Sequence, residues 1–180
     1  DVAKDVAHDS RGSTIVAGYG VQDFPDWIIM KRFANGTSEW NYTENLNSDV
    51  INGVAVDSGD NIIAAGQTNL YDAYVKKFYP NKTVVWSVIM NFTAAEYDIF
   101  NGIAVDSRND VILAGADDNN WRISKLFSNG SSDWNLTVNF GGTDTAYGVA
   151  VDRHDSFIAA GTDGDNWRIS KFFSNRTSDW

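Results

Sequence analysis

The feature that most constrains the fold of this chain is a sequence unit that occurs four times in its 180 residues. The copies open with DVAKDVAHD, DVINGVAVD, DIFNGIAVD and DTAYGVAVD, and they are spaced by 46 to 49 residues. In every copy a glycine follows nine residues after a recurrent aspartate, and a tryptophan follows five residues after a recurrent asparagine. A period of this length marks a repeat architecture. We therefore predict a single array of four repeats, at about 1–48, 49–97, 98–143 and 144–180.

Each copy has the pattern of four short β-strands and no helical periodicity. The first strand is a GVAVD-type run, and the second is an apolar run such as NIIAAG, whose final glycine suits a turn. The third, such as NWRISKL, alternates with period two, and the fourth begins at the recurrent tryptophan. Four strands in 40 to 50 residues are typical of a β-propeller blade, whereas the coils of a β-solenoid, the alternative, are usually shorter.

The sequence thus predicts an all-β fold, a β-propeller built of four-stranded antiparallel blades. We expect the last blade to be incomplete, because the chain reaches only the first residue of its fourth strand, Trp180. We also expect the array to belong to a larger ring that more chain or another subunit completes. In the first strands, Gly53, Gly102 and Gly148 leave room for close approach of neighbouring blades.

The segment GVAVDSGDNIIAAGQTNLYDAYVKKFYPNKTVVW, from Gly53 to Trp86, resembles the β-propeller repeat of prokaryotic cell-surface proteins, often called the seven-bladed propeller repeat. The elements GVAVD, AAG and YVKKF carry the resemblance, which extends over essentially the whole chain. It implies a non-catalytic extracellular domain of a large archaeal or bacterial surface protein. Copy 1 departs from the pattern at Lys4, Asp5 and His8, so we expect a more exposed first strand there.

Composition excludes several classes of function. A net charge of −10 argues against binding to nucleic acid through its phosphates, which requires clustered Lys and Arg. Without cysteine there are no disulfides, thiolate metal sites or cysteine nucleophiles. No apolar run has the length of a membrane span. The two histidines, His8 and His154, occupy different repeat positions, and no catalytic residue or metal ligand can be assigned. We expect a protein that is not an enzyme.

Seven asparagines begin an Asn-x-Ser/Thr sequence, and every copy contains at least one of them. As acceptor sites they predict an N-glycosylated exterior in a secreted protein. Alternatively, Asn35-Gly36 and Asn129-Gly130 are hairpin turns followed by residues that favour strands, and both interpretations can hold. The candidate glycosylation sites are Asn35, Asn41, Asn81, Asn91, Asn129, Asn135 and Asn175.

An aspartate ends each first strand, and a lysine recurs at one position of each third strand. We expect each aspartate to accept backbone hydrogen bonds in the turn that follows it. We expect each lysine to contact a carboxylate within the blade array or to lie along the blade surface with its ammonium group in water. These structural candidates are Asp9, Asp57, Asp106, Asp152, Lys31, Lys77, Lys125 and Lys171.

Tryptophans at the start of three third strands lie beside acidic loops. Flat indole faces suit sugar rings, and oxygen groups at alternate positions of DGDN suit Ca²⁺, although the loop lacks a distal glutamate. The alternatives are core packing between blades for the indoles and solvated turns for the acids. The candidate ligand-binding residues are Trp27, Trp121, Trp167, Asp117, Asp163 and Asp165.

These patterns favour a secreted or cell-surface β-propeller module that acts as a structural or adhesive scaffold. It would be glycosylated, and it could be a subunit of a surface layer or an extracellular filament. Its partners would be other protein chains or further propeller repeats. The alternative is a lectin-like module that binds carbohydrate or depends on Ca²⁺, with no other cofactor expected; a hydrolase or lyase is favoured least.

Overall fold

The computed structural model describes residues 1–21, 25–45, 49–68, 71–92, 97–175, 177 and 178. Within those residues the chain forms fifteen β-strands and no helix, hence no helix able to cross a membrane. The strands are β1 (Val2–His8), β2 (Thr14–Val21), β3 (Pro25–Arg32), β4 (Ser38–Glu44), β5 (Val50–Val56), β6 (Ile62–Gln67), β7 (Ala73–Phe78), β8 (Val84–Met90), β9 (Asp98–Val105), β10 (Val111–Asp117), β11 (Asn120–Leu126), β12 (Ser132–Val138), β13 (Asp144–Val151), β14 (Phe157–Asp163) and β15 (Asn166–Phe172).

The strands form four antiparallel sheets in which every strand pairs with its neighbours in sequence: β1–β4, β5–β8, β9–β12 and β13–β15. Each sheet corresponds to one sequence copy, and we call them blades 1 to 4. The predicted all-β fold of four blades is confirmed. In blade 4 the described residues contain three strands and an isolated bridge between Phe172 and Ser178. Trp180, where the sequence predicts a fourth strand, lies outside the described residues.

The chain divides into two compact halves of two blades each, Asp1–Met90 and Asn91–Trp180. The core of the N-terminal half lies between blades 1 and 2. Its side chains alternate along central strands, so each strand buries one set of residues against the neighbouring blade. We call the face of a blade that packs on the next blade in sequence its forward face, and the opposite face its rear face. The forward face of blade 1 contributes Ile15, Ala17, Trp27 and Ile29. The rear face of blade 2 contributes Ile51, Ile62, Ala64, Tyr74 and Phe78.

The C-terminal half repeats this arrangement between blades 3 and 4. Burial of each large apolar side chain contributes roughly 1.5–3 kcal/mol, so this interface is a main source of the stability of the half. The forward face of blade 3 comprises Ile112, Ala114, Trp121 and Ile123, and the rear face of blade 4 comprises Ala146, Phe157, Ala159 and Phe172.

The recurrent glycine of each second strand has a different role from the predicted turn. Gly115 lies within β10, where the pairing with β9 shifts register at a β-bulge between Ala114 and Gly115. A Cβ atom on Gly115 would lie 1.8 Å from the carbonyl oxygen of Ile99. A bulge turns that carbonyl toward the neighbouring strand, and only glycine leaves room for it. The same contact, at 1.8 to 2.0 Å, occurs at Gly18, Gly66 and Gly161.

Glycine also permits close approach of first strands, as the sequence suggested. A Cβ atom on Gly102 in β9 would lie 2.8 Å from the Cα atom of Gly148 in β13. The first strand of copy 1 is exposed along most of its length, with only Asp5 and Ala7 half-buried.

Candidate functional site

The turn between the first two strands of every blade is organised by the aspartate that ends the first strand. In blade 3, Asp106 Oδ1 accepts hydrogen bonds from the backbone N–H groups of Arg108 and Asp110, at 2.9 and 3.0 Å. Equivalent pairs of bonds, at 2.8 to 3.1 Å, reach the Oδ1 atoms of the other three aspartates: Asp9, Asp57 and Asp152. The geometry therefore gives these residues a turn-forming role in all four blades.

The second oxygen of each of these aspartates faces the recurrent lysine of the third strand in the same blade. The lysine Nζ to aspartate Oδ2 distances are 3.0 Å for Lys31 and Asp9, 2.8 Å for Lys77 and Asp57, 2.7 Å for Lys125 and Asp106, and 3.5 Å for Lys171 and Asp152. Two sets of residues that the sequence analysis considered separately thus form one ion pair per blade. Each pair ties a turn to the third strand across the sheet.

The four pairs differ in burial. In blades 1 to 3 both side chains are nearly inaccessible to solvent, whereas in blade 4 the side chain of Lys171 is 25% exposed and that of Asp152 is 29% exposed. Burial raises the pKa of Asp106, but hydrogen bonds from Lys125 and from the turn amides outweigh this effect and hold the pKa below its usual value. The pKa values of Asp9 and Asp57 are lowered by the same balance of burial and hydrogen bonds.

Serine side chains link neighbouring blades at these turns. Ser10 donates from its backbone N–H and its hydroxyl to the carboxylate of Asp60 in the next blade, each at 2.8 Å. Ser107 makes the same two bonds to Asp155, at 3.0 and 2.8 Å. Asp60 and Asp155 have positive φ values of 61° and 59°, which aspartate tolerates in tight turns. The sequence analysis missed this contact, although a serine after the turn aspartate in three copies was a signal.

The candidate tryptophans occupy one strand position in two environments. Trp27 and Trp121 are fully buried, and the Trp121 indole N–H donates to the Thr162 carbonyl oxygen at 2.8 Å. Trp167 is 92% exposed. The indole platform that the sequence suggested therefore does not form, because the neighbouring blade covers the rings of Trp27 and Trp121. Core packing, the alternative interpretation, describes both.

Two of the three candidate acids pair with arginines of the adjacent third strand. Asp117 lies 3.4 Å from Arg122, and Asp163 lies 3.1 Å from Arg168. Asp165 is in an exposed turn. In the described part of the chain, no three Asp, Glu or His side chains converge in a group that could hold a metal ion.

The two arginines belong to a repeated arrangement that the sequence analysis did not identify. The guanidinium carbon of Arg122 lies 3.6 Å from the ring centroid of Phe92, and that of Arg168 lies 4.2 Å from the centroid of Phe140. Buried Asp98 and Asp144 accept the backbone N–H groups of these phenylalanines, at 2.8 and 2.7 Å. The recurrence of NF before the opening aspartate and of WRIS in the third strand was the available signal.

A different cluster lies between blades 1 and 2. Lys76 Nζ lies 2.7 and 2.8 Å from the two carboxylate oxygens of Glu44 and 3.0 Å from the Tyr42 hydroxyl. The rings of Tyr42, Tyr74 and Phe78 surround the ammonium group at 5.5 to 5.9 Å. Burial alone lowers the pKa of Lys76, but the hydrogen bonds to Glu44 and Tyr42 raise it above its ordinary value. This cation is an internal crosslink between blades 1 and 2.

The seven candidate glycosylation asparagines are all exposed. Four of them lie in the turn after the third strand of successive blades, where the side-chain oxygen accepts the backbone N–H of the Ser or Thr two residues later at 3.0 to 3.1 Å: Asn35, Asn81, Asn129 and Asn175. In three of these turns the Ser or Thr hydroxyl donates to the same oxygen, at 2.6 to 2.8 Å. Asn41 and Asn135 lie on the fourth strands, and Asn91 directly follows β8.

Several solved structures resemble the chain. They include the Neurospora crassa Pan2 WD40 domain (10% identity, 98% of this chain and 64% of that chain, TM-score 0.63) and the Pseudomonas aeruginosa periplasmic gluconolactonase PpgL (12%, 99% and 55%, 0.69). A third is Sqt1 from Chaetomium thermophilum (12%, 93% and 52%, 0.59). These similarities show a β-propeller fold. The chain spans between half and two thirds of the length of these structures. No protein-family model matches it, and no curated protein matches it in sequence.

Proposed function

We propose that this chain is a non-catalytic β-propeller module of a secreted or cell-surface protein and that it acts as an N-glycosylated structural scaffold. The observation that carries the proposal is the exposed asparagine at one equivalent turn of every blade, hydrogen-bonded to the Ser or Thr that completes its acceptor sequence. The resemblance of the repeat to that of prokaryotic surface proteins supports the extracellular setting.

The ion pairs support a structural role for the recurrent polar residues. A reaction centre needs one set of groups placed against one substrate. Here the same aspartate and lysine meet in every blade, with the aspartate also occupied by turn amides. Such pairs hold each turn to its sheet, and so they present the loops and the turn asparagines in a fixed arrangement. Other protein chains or further propeller repeats are the partners that we propose for this scaffold.

The acceptor role of the asparagines can be tested by secreting the chain from a host that glycosylates asparagine and comparing its intact mass with that of protein made in a bacterial cytoplasm. We expect mass increments of glycan size that an amidase specific for N-glycans removes, and peptide mapping should locate them at the turn asparagines. Asn139 is an exposed asparagine outside any acceptor sequence and should stay unmodified.

A matched pair of variants distinguishes a sequence-specific acceptor from nonspecific modification. Thr37→Ala keeps Asn35 but removes the acceptor sequence, so it should abolish modification at Asn35 alone. Ser38→Ala, one residue later in the same exposed segment, should leave Asn35 modified. Secreted protein with the mass of the bare polypeptide would overturn the glycosylation proposal.

A further inference from the structure

The forward face of blade 4 carries the same apolar residue types that blade 3 buries, yet it is open. On blade 3, Trp121 and Ile123 are completely buried against blade 4. Their equivalents on β15, Trp167 and Ile169, are 92% and 52% exposed. The forward face of blade 4 consists of Ile158, Ala160, Trp167 and Ile169, by equivalence with blade 3.

A shallow groove of about 600 Å³ runs over this face. Tyr147 on β13 is 58% exposed beside it, and Arg168 and the backbone of Gly161 complete its wall. Contiguous apolar surface around an exposed indole marks a binding face, because single exposed apolar residues need no partner but a cluster of them does. The question is which surface fits it.

The repeat itself indicates the fitting surface. In blade 3, the face that carries WRIS is covered by the rear face of blade 4. The Trp121 indole N–H donates to the carbonyl oxygen of Thr162, the residue after the second-strand glycine of blade 4. An occupant that repeats this junction presents a blade rear face with a carbonyl oxygen at this position, whereas the Trp27 indole N–H, at the junction of blades 1 and 2, has no hydrogen-bond partner among the described residues.

Such a rear face is present on blade 1. A groove of about 210 Å³ there is lined by apolar side chains of β1, β2 and β3, including Val2, Val16, Ile28 and Met30. Tyr19, the residue after Gly18 and thus the equivalent of Thr162, lies in the same groove. Val16 is the equivalent of Ala64 and Ala159, which are fully buried where a neighbouring blade packs on them.

We infer that the forward face of blade 4 docks on the rear face of blade 1 of a second copy of this chain. In this contact Trp167 packs between the two blades, and its indole N–H donates to the Tyr19 carbonyl oxygen of the other copy. The repeat supports this occupant, because the rear face of blade 1 presents Val16 and Tyr19 at the positions of Ala159 and Thr162, which cover the equivalent face of blade 3.

The contact is heterologous, since it joins different faces of the two copies. The serine-to-aspartate link that joins blades 1 and 2, and blades 3 and 4, cannot form in this contact. Blade 4 has Arg153 at the serine position, and blade 1 has Gly12 at the aspartate position. We therefore expect a dissociable interface. The inference specifies the partner of the scaffold proposed above, and it does not depend on whether the asparagines carry glycans.

The experiment uses size-exclusion chromatography with light scattering over a concentration series. We expect the unaltered chain to associate, with a species of twice the chain mass where two such contacts close a ring and larger species where they do not. Trp167→Glu should weaken association at least about thirtyfold, as for a central tryptophan of an interface. Val16→Glu should do the same from the other side, with Val2→Glu as a more exposed second variant if Val16→Glu fails to fold. Ile89→Glu, at a position 58% exposed on blade 2, is the control and should associate normally.

Mixing two defective variants distinguishes this contact from the alternatives. Trp167→Glu retains an intact blade 1 face and Val16→Glu an intact blade 4 face, so their mixture should form a one-to-one heterodimer through a single contact. A chain that stays monomeric at every concentration would overturn the inference. A dimer sensitive to Trp167→Glu alone, with no heterodimer on mixing, would also overturn it and indicate contact between two blade 4 faces. A monomer whose tryptophan fluorescence is quenched by an oligosaccharide would overturn it in favour of a sugar site.

Discussion

Replacement of Lys125 by methionine tests whether the ion pair in each blade stabilises the fold in proportion to its burial. Lys125 Nζ lies 2.7 Å from Asp106 and 3.2 Å from Asp110, and the side chains of all three residues are less than 10% exposed. Methionine keeps most of the packing volume but removes the positive charge. The variant therefore leaves a buried carboxylate without its main partner, which typically costs about 3–5 kcal/mol.

The local geometry places the expected loss at the lower end of this range. Asp106 keeps its two turn amides at 2.9 and 3.0 Å, and the exposed Arg108 guanidinium remains 3.5 Å away. We therefore expect Lys125→Met to lower the free energy of unfolding at pH 7 by about 3 kcal/mol. For a denaturant slope of about 2 kcal/mol/M, the urea midpoint falls by about 1.5 M.

The repeat provides the control. Lys171 occupies the same strand position, but it lies 3.5 Å from Asp152 and both side chains are partly exposed, so Lys171→Met should destabilise the chain far less than Lys125→Met. The double variant Lys125→Met/Asp106→Asn removes the uncompensated charge and keeps an acceptor for the turn amides, so it should recover more than half of the loss. Urea titrations followed by circular dichroism measure all three. Equal losses in the two lysine variants, or no recovery in the double variant, would refute the reasoning.

The same pair contributes to the response to acid. The pKa of Asp106 in the folded chain is lowered, so its contribution to stability is complete above the unfolded value of about 3.9 and is lost as the pH falls through the folded value. We expect the free energy of unfolding to fall below about pH 4 in the unaltered chain. In Lys125→Met the pKa of Asp106 loses its main lowering contact, so the folded value moves up toward the unfolded value and the loss of stability in acid should be smaller. An acid-dependent loss as large as that of the unaltered chain, in equilibrium titrations at successive pH values, would contradict this.

Two further substitutions probe packing and the internal cation. Gly115→Ala places a Cβ atom 1.8 Å from the Ile99 carbonyl oxygen, so we expect this variant to lose about 3 kcal/mol of stability or to fail to fold. Gly148→Ala is the control. A Cβ atom at Gly148 meets no atom within 4 Å, so this variant should change stability by less than about 0.5 kcal/mol. Thermal unfolding followed by circular dichroism compares the two, and similar midpoints would count against the bulge explanation. Lys76→Met leaves the Glu44 carboxylate without its partner and should lower the free energy of unfolding by about 2 kcal/mol in urea titrations. Stability equal to that of the unaltered chain would show that the aromatic contacts alone suffice.

The fold followed from the sequence because its evidence was repeated. Any one GVAVD or AAG run is ambiguous, but four copies in the same order defined the strands and the blades. The same repetition marked Asp106 and Lys125 as structural residues. It did not reveal that they bind each other, because pairing depends on how far the third strand lies from the turn in space.

The role of the second-strand glycine could not be read from its position. Glycine is common both in tight turns and at β-bulges, and a single glycine at the end of an apolar run is consistent with either. The tryptophans show a second limit. Trp121 and Trp167 share the local sequence NWRISK, so their opposite exposure is set by the neighbouring blade and not by any local signal. Arg122 was missed because its partner Phe92 comes from a segment of variable length.

The serine links have a consequence for how such a chain can grow. The donor and the acceptor of each link belong to different copies, since Ser10 binds Asp60 and Ser107 binds Asp155. Duplication of a copy that holds both residues, such as copy 2 with Ser58 and Asp60, therefore creates a donor and an acceptor together, and the new junction inherits a hydrogen-bond pair. Insertion of a fraction of a copy would separate donor from acceptor. Sequence length in this architecture is therefore expected to change in whole blades.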